Sequence, residues 1–344
     1  MKAQASDAIY LQRTYLAESI DPIHIGTGEF QLGRVDNTIV RESGTELPKI
    51  PGSSIAGVCR AYSAMIASKY LSPDNKNSCA GKGGPAGEKH CGRADCPVCT
   101  AFGFSKRNAS FQGLAQFSDL RILFFPVYSA TGPLWVTCPA ALDAAGITSE
   151  CGSLKNSFAD LGDCVAEIGS SLPSAKSPDS LNLGWLYLKR FSGVVPPSSS
   201  WKIATNADLG PLDTIPYIKF VLPRLTVVSD HRFPAIVNDQ LEIRTSVSIA
   251  PETGAAEDGA LFTAEAIPRA CFFSFNVTYL NPDNYRVPPK SQPIQYGDSP
   301  AQTSDVEKIV TEALHLAEFL GIGGVNTRGM GRLRVIDRSE HHAG

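Results

Sequence analysis

The 344-residue sequence has no excess of positive charge: 31 Lys and Arg face 34 Asp and Glu, a formal net charge of −3. A uniformly basic coat is therefore excluded, although local basic patches are not. Also missing is any run near the roughly eighteen uninterrupted apolar residues that a membrane span requires. The first thirty residues lack the charged start and apolar core of a secretory signal. No internal repeat of solenoid length is visible. Nine cysteines cannot pair completely among themselves, and five lie outside the one clustered segment. A reduced, cytoplasmic setting is thus expected in place of a disulfide framework. What is present, 43% hydrophobic and 19% charged residues, provides for a packed core.

Residues 10–20 read as a strand that opens into the glycine turn His24-Ile25-Gly26-Thr27-Gly28. At Pro51-Gly52-Ser53-Ser54, two serines of N-cap type precede Ile55, Val58, Cys59, Tyr62 and Ile66. Those apolar positions share one helical face, predicting a helix to about Tyr70. Residues 72–107 read as an insertion with little core of its own. Two strands follow, over 113–128 and 133–138, joined by Ser129-Ala130-Thr131-Gly132. Signals between 140 and 220 are weak, and the stretch reads as a variable insertion.

Leu241, Ile243, Thr245, Val247 and Ile249 alternate with polar residues, as one half-exposed arm of a protruding hairpin does. The strand Cys271–Tyr279 is expected in the main sheet. Ser304-Asp305-Val306-Glu307 fits a capping box before an apolar stripe from Val306 to Leu320, with Gly321 as terminator. A short strand, Arg332–Ile336, closes an α+β sheet with helices on one face.

Chemistry concentrates in two places. Cys91-x4-Cys96-x2-Cys99 is preceded by His90 and by Cys79. Zinc takes four soft or borderline ligands in a tetrahedron, and two closely spaced thiolates on a tight turn supply half of it. Cys79, Cys91, Cys96 and Cys99 are the expected ligands of a structural Zn2+. Cys79 is preferred to His90, because adjacent residues rarely both reach one metal. A flexible loop with incidental cysteines is the alternative, and a redox pair lacks its usual βαβ surroundings.

The second place is glycine-rich and basic: Gly323, Gly324, Arg328 and Arg332 lie in one loop, and Ser53 and Ser54 precede Arg60 at a helix start. Exposed backbone N–H groups with arginine suit phosphate oxygens. A helix-to-strand connection and ordinary capping explain the same residues. The loop lacks the Lys-Ser/Thr of a Walker A motif, and it follows a helix where a dinucleotide fingerprint opens one.

Several blocks together resemble one family. His24-Ile25-Gly26-Thr27-Gly28-Glu29, Val35-Asp36, Arg41-Glu42 and Ile50-Pro51-Gly52-Ser53-Ser54-Ile55-Ala56-Gly57 resemble the opening of RAMP-superfamily proteins. Residues 117–127, Trp135-Val136-Thr137-Cys138-Pro139, Arg244-Thr245, Pro251-Glu252-Thr253-Gly254, residues 257–262 and the ending from Gly323 to Arg332 look like the backbone subunit of Cmr-type (type III-B) CRISPR effectors.

The resemblance spans about residues 10–337 and implies a single RAMP domain over 1–344. Its palm would be ferredoxin-like, or RRM-like, with a zinc-binding insertion at 72–107 and a β-hairpin thumb at 228–268. Copies would stack along a guide CRISPR RNA, with other type III subunits, and the thumb would interrupt the guide–target duplex. The family's nuclease position falls on Asp36, which would hold Mg2+ or a similar divalent cation while a ribose 2′-hydroxyl attacks the adjacent phosphodiester. His24, Lys49, Ser53, Ser54, Arg60, Arg244, Gly323, Gly324, Arg328 and Arg332 are the expected RNA contacts. Arg41 is a further phosphate candidate and Glu265 a helper near the thumb base. A non-catalytic RNA-binding scaffold is the alternative. A zinc-dependent regulator would need a recognition helix beside the cysteines, and the sequence offers none.

Overall fold

The computed structural model describes residues 8–28, 35–70, 78–81, 90–106, 108–149, 152–154, 158, 160–167, 179–193, 201–203 and 212–336. Its contacts divide the chain into two compact units, each drawn from three stretches. One comprises Met1–Arg13, Pro51–Asp119 and Asn276–Ile322; the other Thr14–Ile50, Leu120–Phe275 and Gly323–Gly344.

The larger unit is built on a mixed sheet. Its principal strands are β1 (Tyr10–Ser19, from Thr14 on), β2 (Leu120–Val127), β3 (Leu134–Thr137), β4 (Leu225–Val227), β5 (Phe272–Leu280, up to Phe275) and β6 (Leu333–Ile336). They lie in the order β4-β3-β2-β5-β1-β6. β2 and β3 pair antiparallel with Phe125 opposite Val136, β4 runs parallel to β3, and β6 closes on β1 with Leu16 opposite Ile336. The four-strand order β6-β1-β5-β2, which takes the fourth, first, third and second strands of a βαββαβ path, is ferredoxin-like.

Leu16, Phe124, Leu225 and Phe272 are buried in one cluster with Leu142, Phe158, Trp201, Leu212 and Ile218. Each such side chain contributes roughly 1.5–3 kcal/mol when fully buried. The weakly patterned stretch 140–220 therefore supplies core. It does so through pieces as short as Leu212–Thr214 and Pro216–Lys219, too brief to show a period.

A hairpin leaves this sheet: β7 (Glu242–Ile249) pairs antiparallel with β8 (Ala256–Ala266), Thr245 facing Thr263. Its alternation is as read from the sequence. The apolar side, however, is outward, with Ile243, Val247 and Ile249 between 42% and 51% exposed.

In the smaller unit, helix α1 (Gly52–Ile66) and helix α2 (Thr303–Leu320) pack on one another. α1 buries Ile55, Cys59 and Tyr62 along one stripe and ends four residues before Tyr70, because Ser68 turns left-handed at φ 54°. Its N-cap is Pro51, not a serine. The first amide, Gly52 N–H, instead donates to Asp119 Oδ1 at 2.8 Å. Glycine is required there: a Cβ would lie 2.6 Å from the Phe117 carbonyl oxygen.

The capping box of α2 also sits elsewhere than expected. Gln302 and Asp305 form it, with Gln302 N–H donating to Asp305 Oδ2 at 2.8 Å, while Glu307 pairs with Arg13 at 2.9 Å. Val306, Ile309, Val310, Ala313, Leu314 and Ala317 are buried as the stripe predicts, and Gly321 caps the C-terminus at φ 75°. Among the described residues, no helix is long and apolar enough to cross a membrane.

Candidate functional site

The cysteines of the smaller unit converge. Cys96 is the N-cap of the short helix Pro97–Phe102, and Pro97 sits at its first position, where a missing N–H is harmless. One turn on, Cys99 lies above Cys96. Cys79 and Cys91 arrive from separate segments, and the sulfurs of Cys79, Cys91, Cys96 and Cys99 all lie within 4.8 Å of one another, a group able to hold a metal ion. Cys79 Sγ is 3.8 Å from Cys96 Sγ, and Cys91 Sγ is 3.7 Å from Cys99 Sγ. A tetrahedron with Zn–S bonds of about 2.3 Å has edges of about 3.8 Å, so the spacing fits. Hydrogen bonds shared among the four thiols hold Cys91 well below its usual range and push Cys96 and Cys99 well above it, so the deprotonated set that a metal needs would form with the ion.

His90 is not part of this group, since its Nδ1 meets Arg60 Nη2 at 3.0 Å. Arg60 itself departs from expectation. Its guanidinium donates to the carbonyls of Cys79 (2.8 Å), Phe102 (3.1 Å) and Gly103 (2.8 Å), so it faces the cysteine module and not a phosphate. Ser53 is exposed and Ser54 half-buried. The helix start beside them already has the Asp119 carboxylate on its first amide.

A second constellation lies in the larger unit, at the base of the hairpin. The segment 36–40 runs beside β8: Asn37 N–H donates to the Thr263 carbonyl at 3.0 Å, and Glu265 N–H to the Asn37 carbonyl at 3.0 Å. On its other side it meets the His24 turn, with Val40 N–H donating to the Ile25 carbonyl at 2.9 Å. Asp36 opens this segment. Its Oδ2 accepts from Thr263 N–H at 2.8 Å and from the Thr263 hydroxyl at 2.9 Å. The backbone bond first, then the hydroxyl, hold the carboxyl below its usual range, so it is ionised at neutral pH. Its Oδ1 has no hydrogen-bond partner among the described residues.

Two residues lock this strand in place. Glu265 is buried; its Oε1 accepts from Arg41 Nη2 at 2.6 Å and its Oε2 from Ile39 N–H at 3.2 Å. Both carboxylate oxygens are thereby engaged. His24 is buried too, with Nδ1 2.6 Å from the Glu265 carbonyl oxygen. A carbonyl only accepts, so Nδ1 carries the proton. The glycine-rich loop rests on the same residue: Gly324 N–H donates to the His24 carbonyl at 3.0 Å, and a Cβ on Gly323 would lie 2.4 Å from that oxygen. Lys49 sits nearby in the chain's path, its N–H donating to Val40 at 3.1 Å.

The arginines divide by engagement. Arg332 donates Nη2 to Asp21 Oδ1 at 3.0 Å, and this bond lowers the Asp21 pKa. Arg244 pairs with Glu242 at 2.6 Å and donates to the Gly329 carbonyl at 3.1 Å, tying hairpin to glycine loop. Arg328 is exposed; among the described residues its guanidinium makes no hydrogen bond, and it lies 5.6 Å from the centre of the Phe262 ring. Arg244, Arg328 and Phe262 line a cleft of about 440 Å³ with Ser246, Ala264 and Met330. The Arg244 and Arg328 contributions were visible as residue types. The ring beneath Arg328, Phe262, entered the sequence reading only as the last residue of the block 257–262, with no role assigned to it.

Residues 16–334 match the model of the RAMP superfamily, and the chain belongs to that superfamily. The CRISPR system Cmr endoribonuclease Cmr4 of Pyrococcus furiosus is 26% identical over 267 residues, covering 74% of this chain and 77% of that protein. The cryo-EM structure of a type III-B Cmr-beta complex in its apo state contains a chain with TM-score 0.57 and 16% identity, over 95% of this chain and 96% of that one. The same kind of complex bound to cognate target RNA gives TM-score 0.57 and 14% identity, over 97% and 100%. Oligomeric Cmr4 from Pyrococcus furiosus gives TM-score 0.52 and 17% identity, over 95% and 98%. At these identities the structures speak to fold: a mixed α+β chain of the kind found in Cmr4.

Proposed function

We propose that this chain is a guide-RNA-binding backbone subunit of a type III-B CRISPR effector that cleaves complementary target RNA at Asp36. Copies of the chain stack along the guide in the cytoplasm with other type III subunits. The single-domain description over 1–344, the insertions at 72–107 and 140–220, and the thumb at 228–268 belong to this reading. The observation that carries it is the Asp36 carboxylate, fixed through one oxygen by Thr263 at the root of a hairpin whose cleft presents arginine and an aromatic ring.

The residues present fit a divalent cation of the magnesium type, which commonly takes one or two carboxylates and completes its shell with phosphate and water oxygens. Asp36 would hold such an ion, which would supply charge stabilisation at the scissile phosphate. The chain's own part is orientation. Thr263 fixes the Asp36 rotamer, while Glu265 and Arg41 hold the strand that carries it. Phe262 and Arg328 offer a surface on which an unstacked base can lie, letting a ribose 2′-hydroxyl approach its 3′ phosphate in line. The 2′-oxygen to phosphorus bond forms as the phosphorus to 5′-oxygen bond breaks, the hydroxyl proton leaves to solvent, and the 5′-oxygen departs as a hydroxyl. Gly323, Gly324 and Arg328 serve the guide backbone, with His24, Lys49 and Arg244 shaping their base. Cys79, Cys91, Cys96 and Cys99 would hold zinc, which would close the insertion with no ligand position left for catalysis.

The test is cleavage of an end-labelled complementary RNA by the guide-loaded complex, wild type against Asp36→Ala, with magnesium and with EDTA. Regularly spaced products that vanish in the variant, with guide binding retained, are expected. Unchanged cleavage removes Asp36 from the reaction. Tight binding with no cleavage by either protein leaves an RNA-binding scaffold.

A further inference from the structure

Arg60 makes four hydrogen bonds from three nitrogens, and all four go to the segments that carry the cysteines. Nε reaches the carbonyl of Cys79 itself; Nη1 reaches Phe102 and Gly103, the end of the helix that carries Cys96 and Cys99; Nη2 reaches His90, the neighbour of Cys91. Arg60 projects from the middle of α1, next to the buried Cys59. The fork therefore has a rigid base.

Charge points the same way. A tetrathiolate that has bound a divalent cation still carries about two negative charges. Lys106 Nζ also donates to the Cys91 carbonyl, at 2.7 Å. Hydrogen-bonded outer partners orient metal ligands and tune their affinity.

We propose that Arg60 is the positioning residue of the four-cysteine metal centre: one guanidinium sets the three backbone segments that aim the sulfurs and offsets the charge that the filled site retains. The inference rests on the metal reading above and concerns this chain's own residue toward that ion. It also gives Arg60 a role different from a phosphate contact.

The experiment uses the full chain, purified with zinc and separately reconstituted with Co2+, as wild type, Arg60→Met and Arg60→Lys. Metal content, release of zinc to a chelator and the visible spectrum of the cobalt form are recorded well below the unfolding temperature. Loss of one such outer partner typically weakens metal binding about 10- to 100-fold. We expect Arg60→Met to release zinc faster by that order and to shift the cobalt bands, while Arg60→Lys, which keeps the charge but not the fork, falls between. Should Arg60→Met fail to fold, Lys106→Met, which removes one contact to the same module, together with Arg60→Lys gives the graded series. Identical release rates and spectra across the series overturn the role of Arg60. A wild type that binds neither metal overturns the metal reading and this inference with it.

Discussion

Beside the four cysteines Arg60 has its donors occupied by protein carbonyls and a histidine, whereas at the hairpin base Asp36 keeps Oδ1 unshared and Arg328 keeps its guanidinium exposed. The two regions use similar side chains for opposite ends. In the first, short sulfur–sulfur distances gather four cysteines, three of them buried, into a group able to hold a metal ion. In the second, a rigid frame of Glu265, Arg41 and His24 surrounds groups left open to a ligand. The lesson is that residue type alone does not separate scaffold from site; the number of satisfied hydrogen bonds does.

The largest expected effect tests the closed region. Cys96→Ser removes a fully buried ligand from the centre. Apparent binding free energies of structural zinc are on the order of 10 kcal/mol at neutral pH, so its loss should release the segment around Cys91 to Cys99. We expect metal content to fall to near zero and limited proteolysis to cut within residues 90–106. Chelation of the wild-type metal should reproduce the pattern. A variant that keeps its metal and resists protease would break the comparison at its strongest point.

That region was also the more legible one. Cys91-x4-Cys96-x2-Cys99 announces itself by spacing, and the choice of Cys79 over His90 follows from the reach of adjacent side chains. Arg60 was expected to meet phosphate because a sequence shows a basic residue near a helix start without showing where its side chain turns; here it turns toward the cysteine segments. The same limit displaced the helix caps: Asp119 caps α1 from another part of the chain, and Gln302 took the place of a serine. Hairpin, sheet strand and C-terminal helix were legible from periods of two and 3.6. The core contribution of residues 140–220 was not, since one or two anchors per short element leave no period to detect.

At the hairpin base, Glu265→Gln sharpens the claim that the frame is rigid. The Glu265–Arg41 pair has side chains 11% and 22% exposed and a 2.6 Å contact. Losing a charge-assisted bond of this kind costs about 1.5–3 kcal/mol. Denaturant unfolding should show a lower midpoint with unchanged slope, and cleavage should fall further than stability alone explains. An unchanged midpoint would mean that the ion pair contributes nothing to the frame.

Thr263→Val acts more locally. It removes the hydroxyl bond to Asp36 and leaves the backbone one, so the carboxyl should move up toward its ordinary range. Because the folded-state pKa is depressed, the ionised form and the stability it brings are present above the unfolded value and are lost as pH falls through the folded one. The acid limb of cleavage should therefore begin at higher pH in the variant, with activity near neutral pH little changed. A limb that stays in place would show that Asp36 does not govern it.

Arg328→Ala carries the smallest effect and bears most directly on the open region. Its guanidinium touches the Phe262 ring and, among the described residues, no acceptor, so its removal should leave the unfolding midpoint almost unchanged. If it neutralises one phosphate, the slope of log binding against log salt should become shallower by about one, with equal weakening across RNA sequences. Arg60→Ala should behave inversely, costing stability and metal while leaving the salt slope alone. A variant of Arg328 that loses stability and keeps its salt slope would place this arginine with the scaffold, and the division between engaged and open cations would then fail where the two regions differ most.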